Sequence, residues 1–95
     1  MMWENIYIEG AIGSENGHIL EDEEYASSCR ITVEKCPHHF AIICGIYGAM
    51  VHTVFCGENY KEIYDAMKKE LQDFIDRDTT VDEEHQFYND FTTKF

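Results

Sequence analysis

The sequence predicts a single α+β domain over residues 1–95, in which a three- or four-stranded antiparallel meander packs against a long helix and a short terminal helix. Apolar and polar residues alternate after Cys29, and short apolar segments divided by turn residues continue to Cys56, which is typical of strands. The segment from 60 to 76 instead repeats its apolar residues at helical spacing. The chain has the length of one domain with one core, and it contains no repeat or linker.

The N-terminal part predicts one strand and one acidic segment. Residues 3–12, WENIYIEGAI, alternate apolar and polar side chains imperfectly and suit a first strand. Residues 13–17, GSENG, predict a turn. The block EDEEY follows, and its four acids have no basic neighbour in the sequence. Because these like charges repel one another, we expect the block in a loop or on an exposed strand edge.

The next segment predicts three antiparallel strands. In CRITVEK, residues 29–35, every second side chain is apolar, as in a strand with one solvated face. Pro37 interrupts the backbone hydrogen bonding of that strand. HFAIICGIYG, residues 39–48, is apolar on both faces, and AMVHTVFC, residues 49–56, returns after a turn at Gly48 and Ala49.

Two helices are predicted after the strands. The first covers roughly 60–76, and Asn59 with Glu62 resembles a capping box at its start. Its buried face should contain seven apolar residues: Tyr60, Ile63, Tyr64, Met67, Leu71, Phe74 and Ile75. Thr80 with Glu83 forms a second capping box of the T-x-x-E type, which predicts a short helix near the C-terminus.

The charge balance limits the classes of partner. Nineteen acids against seven bases give a formal charge of −12, which repels phosphate backbones and anionic membranes and attracts basic protein surfaces. We therefore expect no direct nucleic-acid binding and no membrane association. The N-terminus lacks the pattern of a signal peptide, so we expect a cytoplasmic protein.

Cysteine and histidine residues offer a possible chemical site. The segment CPHH brings Cys36, His38 and His39 together, but no C-x2-C or H-x3-H pair accompanies them, so we expect free core thiols and neither a metal nor another cofactor. The chain also lacks a glycine-rich phosphate loop, and its carboxylates lie in charged runs, which argues against an enzyme. A small zinc- or thiol-dependent protein using these three residues remains the alternative from another class.

Two acidic clusters are the candidate partner-binding residues. The first four are Asp78, Asp82, Glu83 and Glu84, and the second four are Glu21, Asp22, Glu23 and Glu24. Carboxylates on a rigid scaffold can pair with arginines that otherwise hold phosphates or guanine edges. The neighbouring Phe87 and Tyr88 would either anchor a partner or fix the helix to its own domain.

Residues 82–91, DEEHQFYNDF, resemble the acidic and aromatic C-terminal helix of a small type II-A anti-CRISPR protein, a phage-encoded inhibitor of RNA-guided DNA nucleases. The resemblance implies a three-stranded sheet followed by two helices, and it implies inhibition by occupying the surface where the nuclease reads its PAM. Glu83 and Glu84 match the acids that would face arginines, and residues 87–90 match the aromatic motif. The chain departs from the family at His85 and Gln86, and at its N-terminus, where the family member has a helix.

Two further alternatives remain open on the sequence. An immunity protein or antitoxin would neutralise a basic toxic nuclease through the same acids. A dimeric module without inhibitory function would form by pairing of an exposed strand edge, and the sequence leaves the oligomeric state undetermined.

Overall fold

Five strands form one antiparallel sheet in the computed structural model, which describes residues 2–95. The elements are β1 (Trp3–Asn5), β2 (His18–Tyr25), β3 (Cys29–Lys35), β4 (Phe40–Ile46), β5 (Met50–Cys56), α1 (Tyr60–Asp76) and α2 (Val81–Lys94). The strands lie in the sheet in chain order, from β1 at one edge to β5 at the other. The predicted α+β meander is confirmed, with more strands than the three or four expected.

The core lies between one face of the sheet and the two helices. Cys29, Ile31 and Val33 of β3 are fully buried on this face, and the register places them opposite Ile46, Cys44 and Ile42 of β4. Four residues of α1 pack over them and are buried: Tyr64, Met67, Leu71 and Phe74. Burying each of these large side chains contributes about 1.5–3 kcal/mol, so the predicted helical face is what attaches α1 to the sheet.

The two helix starts differ in how they are capped. Thr80 has the extended backbone of a capping residue, and it exchanges both hydrogen bonds of the predicted capping box with Glu83. Asn59 also precedes its helix, but its φ of −81° and ψ of 12° are not the extended conformation of a capping residue, and it makes no side-chain capping bond. The capping box predicted at Asn59 and Glu62 is therefore wrong, although the predicted helix bounds are confirmed.

The N-terminal segment forms a much shorter strand than predicted. Trp3–Asn5 forms the strand that pairs with β2, and Ile12 adds an isolated bridge to His18. Between them the chain leaves the strand and turns at Gly10, whose φ of 81° is a left-handed conformation. The prediction of a strand over 3–12 is wrong beyond Asn5. The turn predicted at 13–17 is confirmed, because the N–H of Gly13 donates to the carbonyl of Gly17 at 3.0 Å.

This turn covers part of the sheet face that was expected to be solvated. The Glu34 carboxylate lies beneath it and accepts hydrogen bonds from the backbone N–H groups of Glu15 and Gly17, each at 3.1 Å. Glu34 is only 1% exposed as a result. A Cβ at Gly13 would lie 2.1 Å from the carboxyl carbon of Glu34, so a larger residue at this position would displace the buried carboxylate.

Candidate protein interaction surface

The strongest candidate surface is the exposed start of α2. Its three first-turn acids and one acid of the preceding segment, which together we call the α2 acidic cluster, are Asp82, Glu83, Glu84 and Asp78. Asp78, Asp82 and Glu83 are exposed and Glu84 is partly exposed. Among the ion pairs formed by residues 2–95, none uses a member of this cluster. These carboxylates therefore carry negative charge that the protein itself does not neutralise.

Two members of the cluster have local structural roles. Glu83 accepts a hydrogen bond from the backbone N–H of Thr80 at 3.2 Å, and the Thr80 hydroxyl accepts one from the N–H of Glu83 at 3.2 Å. Glu84 lies 3.5 Å from the hydroxyl of Thr79. A capping carboxylate retains further acceptor positions, so capping and contact with a cation are compatible.

The aromatic residues of α2 hold the helix against the domain. Phe87 stacks on Phe74 of α1, with ring centroids 4.1 Å apart, and Tyr88 meets the same ring edge-on at 5.9 Å. Phe91 is 1% exposed and belongs to the core. Of the two predicted roles, fixing the helix agrees with this packing, and it gives the α2 acidic cluster a rigid support.

A groove of about 450 Å³ between α1 and α2 extends the acidic surface. Its lining includes Glu70, Asp73, Glu83 and Asp90, with Arg77 as the basic member. Glu70 pairs with Lys94 at 2.6 Å, whereas Asp90 accepts a bond from the uncharged Gln86 at 2.8 Å.

Sequence analysis did not select Asp73 or Asp90 for this surface. The seven-residue spacing from Glu83 to Asp90 places both on one side of α2, and this spacing was the available signal. The approach of Asp73 from α1 depends on how the two helices pack, so local sequence does not contain it.

The second predicted cluster lies inside the sheet. Its four acids, which we call the β2 acidic cluster, are Glu21, Asp22, Glu23 and Glu24. They occupy β2, which pairs with β1 on one side and with β3 on the other. The prediction of a loop or an exposed edge is therefore wrong, because residues from other elements supply the partners that the local sequence lacks.

Asp22 is the most enclosed of these acids, with 4% exposure. Arg30 of β3 donates to it from Nε at 2.8 Å and also from Nη2, and the Thr32 hydroxyl donates at 3.0 Å. A two-point guanidinium contact of this kind combines charge with fixed geometry. Asp22 therefore has no free carboxylate to offer a partner.

Glu23 faces the helices and pairs with α1. Lys68 Nζ lies 2.7 Å from its carboxylate, and the Tyr64 hydroxyl also donates to it. Burial by itself would raise the pKa of Glu23, but the hydrogen bonds from Lys68 and Tyr64, with the charges of Lys68 and Lys61, outweigh it and hold the pKa below its ordinary value. The charged form is thus stabilised within the protein.

The two outer acids of the β2 acidic cluster also have partners. Lys61 lies 3.2 Å from Glu21, and the Tyr47 hydroxyl donates to Glu24 at 2.6 Å. Burial, together with the Glu24 carboxylate, raises the pKa of Tyr47 to about 12. Both acids remain partly exposed, so they keep some capacity for outside contacts that Asp22 lacks.

The cysteines and histidines do not converge on one point. His38 and His39 are exposed, whereas Cys36 is buried. No group of three or more His, Cys, Asp or Glu side chains within residues 2–95 is arranged to hold a metal ion. All four cysteines are free thiols, and the predicted core position holds for Cys29, Cys36 and Cys44, whereas Cys56 is partly exposed.

Burial makes these thiols poor nucleophiles. It raises the pKa of Cys29 to about 11 and that of Cys44 to about 12. The pKa of Cys36 is raised as well, by burial and by the neighbouring Glu34 and Glu15 carboxylates. Reactive cysteines require a lowered pKa, so the environment of these thiols disfavours the thiol-dependent alternative.

Comparison of the chain with family models, with curated proteins and with solved structures finds no match. Within residues 2–95, neither helix combines the length and the apolar character needed to cross a membrane.

Proposed function

We propose that this protein inhibits a nucleic-acid-processing enzyme by presenting the α2 acidic cluster to a basic groove that normally holds DNA. The resemblance of residues 82–91 to an anti-CRISPR helix makes an RNA-guided DNA nuclease the first target, blocked at its PAM-reading arginines. The protein acts as a binding partner and not as an enzyme. The observation that carries the proposal is the set of exposed or partly exposed carboxylates, without an internal cationic partner, at the start of a packed helix.

The physical mechanism is mimicry of phosphate and base acceptors. Arginine side chains that bind guanine edges or phosphates donate paired N–H groups, and carboxylates accept them in the same geometry. The α2 acidic cluster and the acidic groove beside it supply such acceptors on one surface. The stacking of Phe87 on Phe74 supports this arrangement, because a preorganised helix loses little entropy when it binds.

The test is a DNA-cleavage assay with a guide-loaded type II nuclease, in which the protein is added before or after the target DNA. We expect inhibition only when the protein comes first. The informative variant is Asp78→Asn/Asp82→Asn/Glu84→Gln, which keeps the Glu83 cap intact. We expect its inhibition constant to rise by about tenfold, since each exposed ion pair contributes about 0.2–1 kcal/mol.

A matched control removes the same number of charges elsewhere. Glu4, Glu9 and Glu58 are exposed and lie outside both acidic clusters, so Glu4→Gln/Glu9→Gln/Glu58→Gln changes the net charge equally. Equal loss of inhibition in both variants would show that only overall charge matters. Absence of inhibition by the unmodified protein, in either order of addition, would overturn the anti-CRISPR proposal.

A further inference from the structure

The edge strand β5 contains no charged residue. All Asp, Glu, Lys and Arg residues lie within 1–35 and 58–95, so the segment from 36 to 57 has none, although 27% of the chain is charged. This segment contains β4 and β5, and β5 is the last strand of the sheet. The longest uncharged segment of a very acidic chain therefore forms a sheet edge.

The two edges of the sheet differ in protection. β1 has three residues and includes the charged Glu4, whereas β5 has seven residues without a charge, a proline or a bulge. Within residues 2–95, β5 pairs with β4 alone. Charges, short length and bulges are the usual means by which proteins prevent pairing at an edge, and β5 has none of them.

The side chains of β5 indicate what covers this edge. Val51 and Phe55 are 79% and 59% exposed, and both face the side of the sheet without helices. In an antiparallel pair of two β5 strands centred on Thr53, Val51 of each copy stands opposite Phe55 of the other. The strand is thus self-complementary, as a twofold interface requires.

The charge distribution also permits a second copy at this edge. Pairing through β5 places the two β2 strands seven strand spacings apart, roughly 33 Å at about 4.8 Å per spacing. This distance is several times the screening length of about 8 Å at physiological ionic strength. The uncharged segment therefore weakens the repulsion between the β2 acidic clusters of the two copies, although each copy as a whole still carries a charge of −12.

We propose that β5 is a homodimer interface, in which two copies join antiparallel at Thr53 to form one continuous ten-stranded sheet. The twofold axis is perpendicular to the sheet, so both pairs of helices lie on the same side. Two α2 acidic clusters are then displayed together. The dimer does not depend on the proposed inhibition, and either can exist without the other.

The test is sedimentation equilibrium of the full chain between low and high micromolar concentration. We expect the mass of a dimer, twice 11.1 kDa. The variant Val51→Lys/Phe55→Lys should raise the dimer dissociation constant by more than about tenfold, because it replaces two apolar cross-strand pairs with like charges. Both side chains are exposed in the single chain, so the variant should keep its fold and its circular dichroism spectrum.

The control variant is Ile8→Lys, which places a single lysine on another exposed apolar residue outside β5. It should remain dimeric. A monomer at all concentrations, or a dimer that Ile8→Lys disrupts and Val51→Lys/Phe55→Lys does not, would overturn the proposal. Because the assay contains no nuclease, neither result bears on inhibition.

Salt provides an independent readout. We expect added salt to tighten the dimer, because it screens repulsion between two copies that each carry −12. It should weaken binding of a basic partner to the α2 acidic cluster. A dimer that salt dissociates would instead be held by ion pairs, which contradicts an uncharged β5 interface.

Discussion

The two acidic clusters have similar sequences but different surroundings. Within the β2 acidic cluster, Arg30, Lys61 and Lys68 pair with three of the four acids, and Tyr47 donates to the fourth. The α2 acidic cluster has only backbone and hydroxyl donors. The first cluster joins β2 to β3 and α1, whereas the second faces outward. A dense run of acids in a sequence therefore does not by itself indicate charge available to a partner.

The two clusters differ because the fold places basic residues beside the β2 acidic cluster and not beside the α2 acidic cluster. Of the seven basic residues, Arg30 lies across the strand pair from β2, and Lys61 and Lys68 lie on the part of α1 that passes over it. Arg77 and Lys94 are the bases that flank α2 in the chain, with Arg77 before the helix and Lys94 at its last turn. Lys94 pairs with Glu70, which leaves the cluster itself without an ion pair among the described residues. We expect substitutions in the first cluster to affect stability and those in the second to affect binding.

The largest effect on stability should come from Asp22→Ala. Asp22 is 4% exposed and binds Arg30 and Thr32, so its removal leaves the Thr32 hydroxyl without an acceptor in a buried position. We expect a loss of about 2–3 kcal/mol in the free energy of unfolding, because the half-exposed Arg30 can regain water. Urea unfolding measures it, and Asp82→Ala is the comparison. Equal losses in both variants would contradict the difference between the clusters.

A smaller effect should come from Glu23→Gln, and it should depend on pH. The Glu23 pKa in the folded protein lies below the value of 4.5 expected when unfolded, so its charge stabilises the fold above that pH. Loss of the charged hydrogen bond should lower the free energy of unfolding by about 1–2 kcal/mol near neutrality. As pH falls through the folded pKa, Glu23 becomes protonated and the two proteins should converge. Denaturation at pH 7, 5 and 3 tests this, and a constant difference would show that its charge is unimportant.

The capping box of α2 should contribute less to the free energy of unfolding than Asp22 or Glu23. Thr80→Ala removes the acceptor for the N–H of Glu83, and we expect a loss of about 1 kcal/mol. Thr80→Ser is the matched variant, since it retains the hydroxyl and should stay close to the unmodified protein. Thermal unfolding monitored by circular dichroism distinguishes them. If Thr80→Ala proved neutral, the start of α2 would be held by its aromatic contacts alone.

The smallest effect on stability should come from neutralising the α2 acidic cluster outside the cap. Asp78→Asn/Asp82→Asn/Glu84→Gln should change the free energy of unfolding by less than about 0.5 kcal/mol, as is usual for surface positions. The same variant should affect the inhibition constant more than it affects the free energy of unfolding. Urea unfolding and the inhibition assay on the same preparation separate the two. A strongly destabilised variant would show that these acids support the fold.

Local patterns determined the elements whose stabilising contacts are also local. The apolar spacing from Tyr60 to Ile75 predicted α1, and the Thr80 and Glu83 pair predicted the start of α2, because each depends on residues within a few positions. The same approach failed at Asn59, where the backbone conformation denies the side chain its capping bond. It also failed at β2. Four consecutive acids hide the fact that Glu23 lies on the sheet face covered by the helices, whereas Asp22 lies on the opposite face.

The sequence by itself therefore determined the α+β class, the strands from Cys29 to Cys56, both helices and the strong negative charge. The tertiary structure alone decided which of those charges are neutralised. Lys68 is 45 residues from Glu23 and Lys61 is 40 residues from Glu21, so no local pattern could connect them. The register of the sheet and the path of α1 bring these groups within hydrogen-bonding distance. The α2 acids stay outward because the aromatic residues occupy the inner side of that helix.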